Sequence, residues 1–270
     1  MRRRARHRRG EGARVLREAD YLLGSEAGHE DRAGGDLRAG ARGPALRELG
    51  RGHRDRQRDH LRIGIGRLDP RYSTAHHWYA ASCLVPLGRL DDAINELQVA
   101  TALDPISAII ARDRALAYYY KRDFEAALEQ GDHAIEINPY FSAAYFGLGL
   151  IQEQIGDFEE AVAAFQRALQ LSPDSPRMHA ALARMFAVAG RTREALAILD
   201  KLHEISVHRY VSPFDFAPAY FALGNEEKGY EWLARAFQDR SFELLSIRVD
   251  PRFDSLASDA RFDSLCRQLL

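Results

Sequence analysis

Few residues of this chain have the types and spacing to do chemistry, and each such group has a plainer use. His76-His77 is the one adjacent pair among ten histidines. Two imidazoles could share a metal, but neighbours in sequence leave a helix toward different faces. Tyr118-Tyr119-Tyr120 could stack on a flat cofactor. Asp254 and Asp263 could pair as an acid and a base, although helix capping and solvation are the commoner work of such residues. Cys83 and Cys266 have neither the spacing of a zinc site nor that of a disulfide framework. Cys83 reads as a small packed apolar residue, and the pair suits a reducing, cytoplasmic compartment. The motifs G-x-S-x-G, H-E-x-x-H, C-x-x-C and G-x-x-x-x-G-K-[ST] do not occur. The chain is therefore expected to be no enzyme, with no catalytic residue, no metal and no cofactor.

What the chain does repeat is spacing. "GDFEEAVAAFQRALQLSP" at 156–173 puts Ala161, Phe165 and Ala168 at i, i+4 and i+7, on one helix face. Small residues there let a second helix approach closely, and the phenyl ring fills the remaining space. Gly156 can end the preceding helix, Asp157 can cap the next, and Pro173 stops it. "RDFEAALEQGDHAIEINP" at 122–139 says nearly the same. The columns continue in steps of 34 residues: Pro105, Pro139, Pro173; Gly88, Arg122, Gly156, Gly190, Gly224; Ala93, Ala127, Ala161, Ala195, Gly229; Ala100, Ala134, Ala168, Leu202, Ala236. Independent columns in one register over five units predict an array of helical hairpins. At 46% hydrophobic residues, the chain is ordinary for a globular protein. No apolar run approaches the roughly 18 residues that span a membrane.

The pattern resembles the tetratricopeptide repeat family. That resemblance is fullest in the unit from Ser142, through Tyr145, Leu148, Gly149, Gly156, Ala161, Phe165, Ala168 and Pro173, with Gln152 where an aromatic is usual. Units from Thr74, Ala108, Pro176 and Tyr210 match less fully. Arg122 stands where a glycine is usual, and Val207 where a closing proline is. The resemblance covers about 74–240. It implies an all-α, right-handed superhelical solenoid of about five helix-turn-helix repeats with a short C-terminal helical cap. In its register Tyr118 is a core aromatic, while Tyr119 and Tyr120 turn toward the inner face.

The resemblance also implies where a partner sits. The first helix of each repeat lines a concave groove, here through Trp78 and Ser82, Arg112 and Tyr119, Phe146 and Glu153, Arg177 and Arg184, and Phe214 and Phe221. Aromatic and arginine side chains are the types that dominate binding hot spots, and such a groove takes an extended peptide or a helix. The expected function is a protein-protein interaction scaffold or sensor, with a protein or peptide partner, no membrane, and no nucleic acid on the array itself. Chaperone-type arrays clamp a terminal carboxylate with lysine and asparagine, where this chain has Trp78, Ser82, Arg112 and Leu116.

The two ends differ from the array. Residues 1–62 hold 17 arginines, no lysine and ten glycines, and their ten acids leave a charge of +7; the remainder must carry −8 to give the net −1. Three readings stand: a disordered tail, since little here can be buried; an out-of-frame or start-site artefact, with "RLDP" at 67–70 the tail of a lost repeat; or a nucleic-acid-binding arm, poorly served by Tyr21 as its one aromatic. The basic opening lacks the apolar run of a secretory signal. At the other end, 241–270 are expected to cap the array. "DPRFDSL" at 250–256 and "DARFDSL" at 259–265 repeat a turn that Asp250 and Asp259 can cap, with Phe253, Leu256, Phe262 and Leu265 apolar. Together, "YVSPFDFAPAYFALGNEEKGYEWLARAFQDRS" and "VDPRFDSLASDARFDSLCRQL" are similar to the ends of bacterial signalling proteins that place a winged-helix, kinase or cyclase domain before such an array. That similarity implies a sensor or scaffold half of a transcriptional regulator or signalling kinase, its effector domain absent from this chain.

Overall fold

Helix starts follow the 34-residue step. In the computed structural model, which describes residues 71–269, the second helices of the five hairpins begin at Leu90, Phe124, Phe158, Thr192 and Glu226. The readings made for residues 1–62, and for "RLDP" at 67–70, lie outside the described residues. Named in chain order, the helices are α1 (Ser73–Tyr79, continued by a π-helical turn Ala80–Leu84), α2 (Leu90–Leu103), α3 (Ala108–Lys121), α4 (Phe124–Ile137), α5 (Ser142–Ile155), α6 (Phe158–Leu171), α7 (Pro176–Val188), α8 (Thr192–His208), α9 (Pro213–Ala222) and α10 (Glu226–Gln238). Two 3-10 helices, Phe242–Ser246 and Pro251–Leu256, and then α11 (Ala260–Gln268) close the chain. The described residues thus form an all-α solenoid of five helical hairpins with a helical cap.

The turn inside each hairpin needs one residue of left-handed backbone. Gly88, Gly156, Gly190 and Gly224 supply it with φ between 70° and 83°, where the lack of a Cβ removes the clash. Arg122 adopts the same conformation, φ 65°, without that freedom. Asp157 occupies the cap position before α6 without a side-chain bond, whereas Asp123 accepts a hydrogen bond from the Ala126 amide. Where Val207 replaces the closing proline, nothing stops the helix: α8 runs 17 residues against 14 for α4 and α6. The fifth hairpin consequently begins at Pro213, its ring accommodated in the first turn.

Close packing follows from the small-residue columns. Ala93, Ala127, Ala161, Ala195 and, two turns further on, Ala100, Ala134, Ala168, Leu202 and Ala236 are fully buried. Phe165 is fully buried too, and a Cβ on Gly149 would lie 2.7 Å from its ring. The fifth hairpin repeats the device with the partners exchanged: a Cβ on Gly229 would meet the Phe221 ring at 2.6 Å. Buried clusters run across hairpin boundaries, as where Tyr119, Ile151, Phe165 and Met185 share one core.

The closing segment caps the array. Asp250 and Asp259 hold their cap positions and accept hydrogen bonds from the Arg252 and Arg261 amides. Phe253, Leu256, Phe262 and Leu265 are buried with Phe214, Leu233 and Ala236 of the fifth hairpin.

Candidate functional site

The ten residues expected in the groove lie on helices α1, α3, α5, α7 and α9, in three different states. Trp78 is 53% exposed, and Ser82, Arg112 and Phe146 are partly open. Arg177 and Arg184 are committed to carboxylates: Arg177 pairs with Glu243 and, at 3.5 Å, with Asp215, while Arg184 pairs with Glu153, which is buried. Burial, then the nearby Arg252 charge, pull the Arg184 guanidinium down to about 10. Tyr119 and Phe214 are covered, at 0% and 2% exposure, and Phe221 packs edge-on against Phe253 at 6.2 Å.

What covers them is the chain itself. After the first 3-10 helix, residues 247–254 reach back to the first two hairpins. Tyr119 donates its hydroxyl proton to Asp250 Oδ1 at 3.1 Å, and a side-chain hydrogen bond joins Tyr120 to Ser246. Arg122, on the left-handed turn, donates to the Val249 carbonyl at 2.7 Å and pairs with Asp254. Val249 itself packs on the core of the first hairpin, among Tyr79, Ala80, Leu84 and their neighbours. Asp250 is buried, yet its carboxyl stays below the usual range. Burial pushes it up, and the Arg252 charge, the Arg252 guanidinium and amide hydrogen bonds, and the Tyr119 hydroxyl together more than offset that. The Tyr119 phenol is driven well up, by burial and then by the Asp250 charge, and Tyr120 up to about 12 for the same two reasons.

The two halves of the closing duplication share local chemistry and differ in setting. Asp250 binds Arg252 through both oxygens, and Asp259 binds Arg261 in the same way. Arg252 is enclosed between the Phe214 and Phe253 rings, at 5.7 and 5.9 Å. Arg261 lies on the outside, over Tyr230 at 4.0 Å and paired with Glu226 and Glu227.

Sequence reasoning had no place for Arg122, Val249, Asp250 and Glu243 in the groove, and it left Asp254 as a solvated capping residue. The one signal for them was Arg122 itself, the break in a glycine column. The residues that first suggested catalysis have structural partners. His76 Nδ1 lies 2.6 Å from Glu96 of α2, and His77 Nε2 lies 2.5 Å from Asp113 of α3. Tyr118 is half-buried, Cys83 is half-buried and Cys266 buried, and burial raises both thiols.

Residues 80–140, 112–176 and 154–211 match the tetratricopeptide repeat family. Over 80–211 the array is similar to tetratricopeptide repeats. Among curated relatives, tetratricopeptide repeat protein 13 of Homo sapiens is 35% identical over 89 residues, which is 30% of this chain and 10% of that protein. The peroxisomal targeting signal receptor of Saccharomyces cerevisiae is 32% identical over 116 residues, 42% of this chain and 19% of the receptor. The chain thus spans a small fraction of the curated relatives it matches. Among solved structures, a thermophilic TPR protein of Thermus thermophilus superposes with a TM-score of 0.52 at 18% identity, covering 67% of this chain and 99% of the other. That likeness shows the solenoid fold. Within that fold, 247–254 touch the first two hairpins, at Tyr119, Arg122 and the core around Tyr79.

Proposed function

We propose that the chain is a non-enzymatic, cytoplasmic interaction module whose concave TPR face binds a partner protein through a short acidic segment with an apolar anchor. The observation that carries this reading is the hold of Tyr119 and Arg122 on Asp250, Asp254 and the Val249 carbonyl. The face already binds such a segment, in its own chain. The Arg122 guanidinium on the Asp254 carboxylate is a charge-assisted, directional contact, and Trp78 offers exposed aromatic area on α1. The relatives' names fit this use, since one is a targeting signal receptor.

Peptide display against the full chain tests the proposal. Recovered sequences should be rich in aspartate or glutamate next to an apolar residue. Trp78→Ala with Arg112→Ala should weaken them at least tenfold while far-ultraviolet circular dichroism keeps its helical form. Recovery of peptides with no acidic preference, or with affinities untouched by the double change, would send the search to another face.

A further inference from the structure

Resting on that reading, we propose that residues 246–254 are a resident ligand of the groove, occupying in cis the place that a partner's segment of like chemistry takes in trans. The partner segment is one with an apolar residue directly before an aspartate and a second acid four residues later, as in Val249, Asp250 and Asp254. Partner binding then requires Val249, Asp250 and Asp254 to give up these contacts, while Ile247 and Phe253 stay on the last repeat.

Three features set the stretch apart from an ordinary cap. Capping is the work of Leu244 and Leu256, outside the stretch, and of Ile247 and Phe253 near its two ends, all packed on the last repeat. The contacts that reach back to the first two repeats, across sequence separations of 127 to 132 residues, are instead polar: the Tyr119 hydroxyl to Asp250 and Arg122 to Val249 and Asp254. Val249 is the apolar exception. The Arg122–Asp254 pair is open to water, with side chains 37% and 57% exposed, and such a pair holds weakly and yields to salt.

Arg122 is the second feature. Glycine would make its turn without strain, as in the other four repeats. The guanidinium at that position donates to the Tyr120 carbonyl within the hairpin, and beyond it grips the Val249 carbonyl and Asp254. Charge is the third. Two arginines of the repeats, Arg122 and Arg177, pair with acids of the closing segment, Asp254 and Glu243. An acidic competitor meets the same cations.

The test uses the full chain and a fluorescent peptide of sequence SIRVDPRFDSL, identical to 246–256. Two variants loosen the occupant without touching the groove: Val249→Ala with Asp254→Ala, and the exposed charge reversal Asp254→Arg. Hydrogen exchange across 246–254 should rise in both, with helicity unchanged. Fluorescence anisotropy should show the peptide binding each loosened chain at least tenfold more tightly than the wild type. A peptide carrying Asp250→Asn should lose at least tenfold on the same chains. Equal binding to wild-type and loosened chains would overturn the resident-ligand proposal and leave the groove reading standing. No binding to chains whose 246–254 exchange freely would overturn both.

Discussion

Gly149 and Asp250 are the two residues on which single changes should report most. At Gly149 an added Cβ would lie 2.7 to 2.8 Å from the Phe165 ring, which is fully buried and has nowhere to go. Gly149→Ala is expected to cost about 1–3 kcal/mol by overpacking. Gly147→Ala in the same helix would meet Leu116 at an ordinary 3.7 Å and should be neutral, or stabilising by up to about 1 kcal/mol through helix propensity. Urea midpoints of the two variants compare them directly. Asp250→Ala leaves the enclosed Arg252 guanidinium and the Tyr119 hydroxyl without their acceptor, a loss of roughly 3–5 kcal/mol for a broken buried pair. Tyr119→Phe removes one neutral donor to the same carboxylate and should cost only about 1–2 kcal/mol. A Tyr119→Phe loss as large as that of Asp250→Ala would show that the phenol, and not Arg252, satisfies the carboxylate.

At the scale of the element, α9 carries a pH dependence. Burial is the main cause that lifts the Asp215 carboxyl to about 6; Arg177 opposes it, and Glu243 adds to it. A carboxyl raised in the fold prefers its neutral form there. The folded chain therefore keeps this proton up to about pH 6, while the unfolded chain releases it near pH 4. Across that window Asp215's contribution to stability falls as pH rises, by about 2–3 kcal/mol if the full shift is realised, and it is level above. Asp215→Asn cannot ionise, so the variant should gain on the wild type between pH 4 and pH 7, read as the change in their difference in urea midpoint. A difference independent of pH would mean that the Arg177 pairing fully compensates the burial. Helix α6 offers the packing test of the same scale: Ala161→Leu should cost about 1–3 kcal/mol in a thermal melt, because the fully buried alanine marks the close approach of two helices.

Across the whole array, the closing segment changes the cooperativity expected of a solenoid. Stacked repeats contact only their neighbours, and their stability is then a chain of nearest-neighbour terms. Here the last residues touch both the fifth repeat, through Phe253 and Leu256, and the first two, through Val249 and Asp254. Ending the chain at residue 240 should therefore act at two distant places. It uncovers Phe214, Leu233 and Ala236 at the last repeat, and self-association should appear in sedimentation velocity as that apolar end is left bare. It also removes Val249 from the first repeat, and amide exchange in α2 should quicken, at Leu97 among others. Quickened exchange confined to α9 and α10 would show that the segment serves the last repeat alone.

The local columns of the sequence determined the solenoid. Glycine at the hairpin turns, alanine at the helix contacts and proline at the closings act within a few residues, through φ, side-chain volume and the missing amide. A period of 34 is their sum, and Val207 lengthened α8 for the same local reason. Even the broken columns had physical content: Gly229 makes room for Phe221, and Arg122 directs its side chain to Tyr120, Val249 and Asp254. What no column could say was which groups those would be. The pairings of Arg122 with Asp254 and of Tyr119 with Asp250 join residues more than 130 positions apart, and nothing in either partner's neighbourhood selects the other. They arise because five stacked hairpins curve, bringing the first helices of the early repeats within reach of the segment that leaves the last one. The sequence could thus name ten candidate groove residues by register, while which of them are exposed, as Trp78 is, and which are covered, as Tyr119 and Phe214 are, was decided only by the tertiary structure.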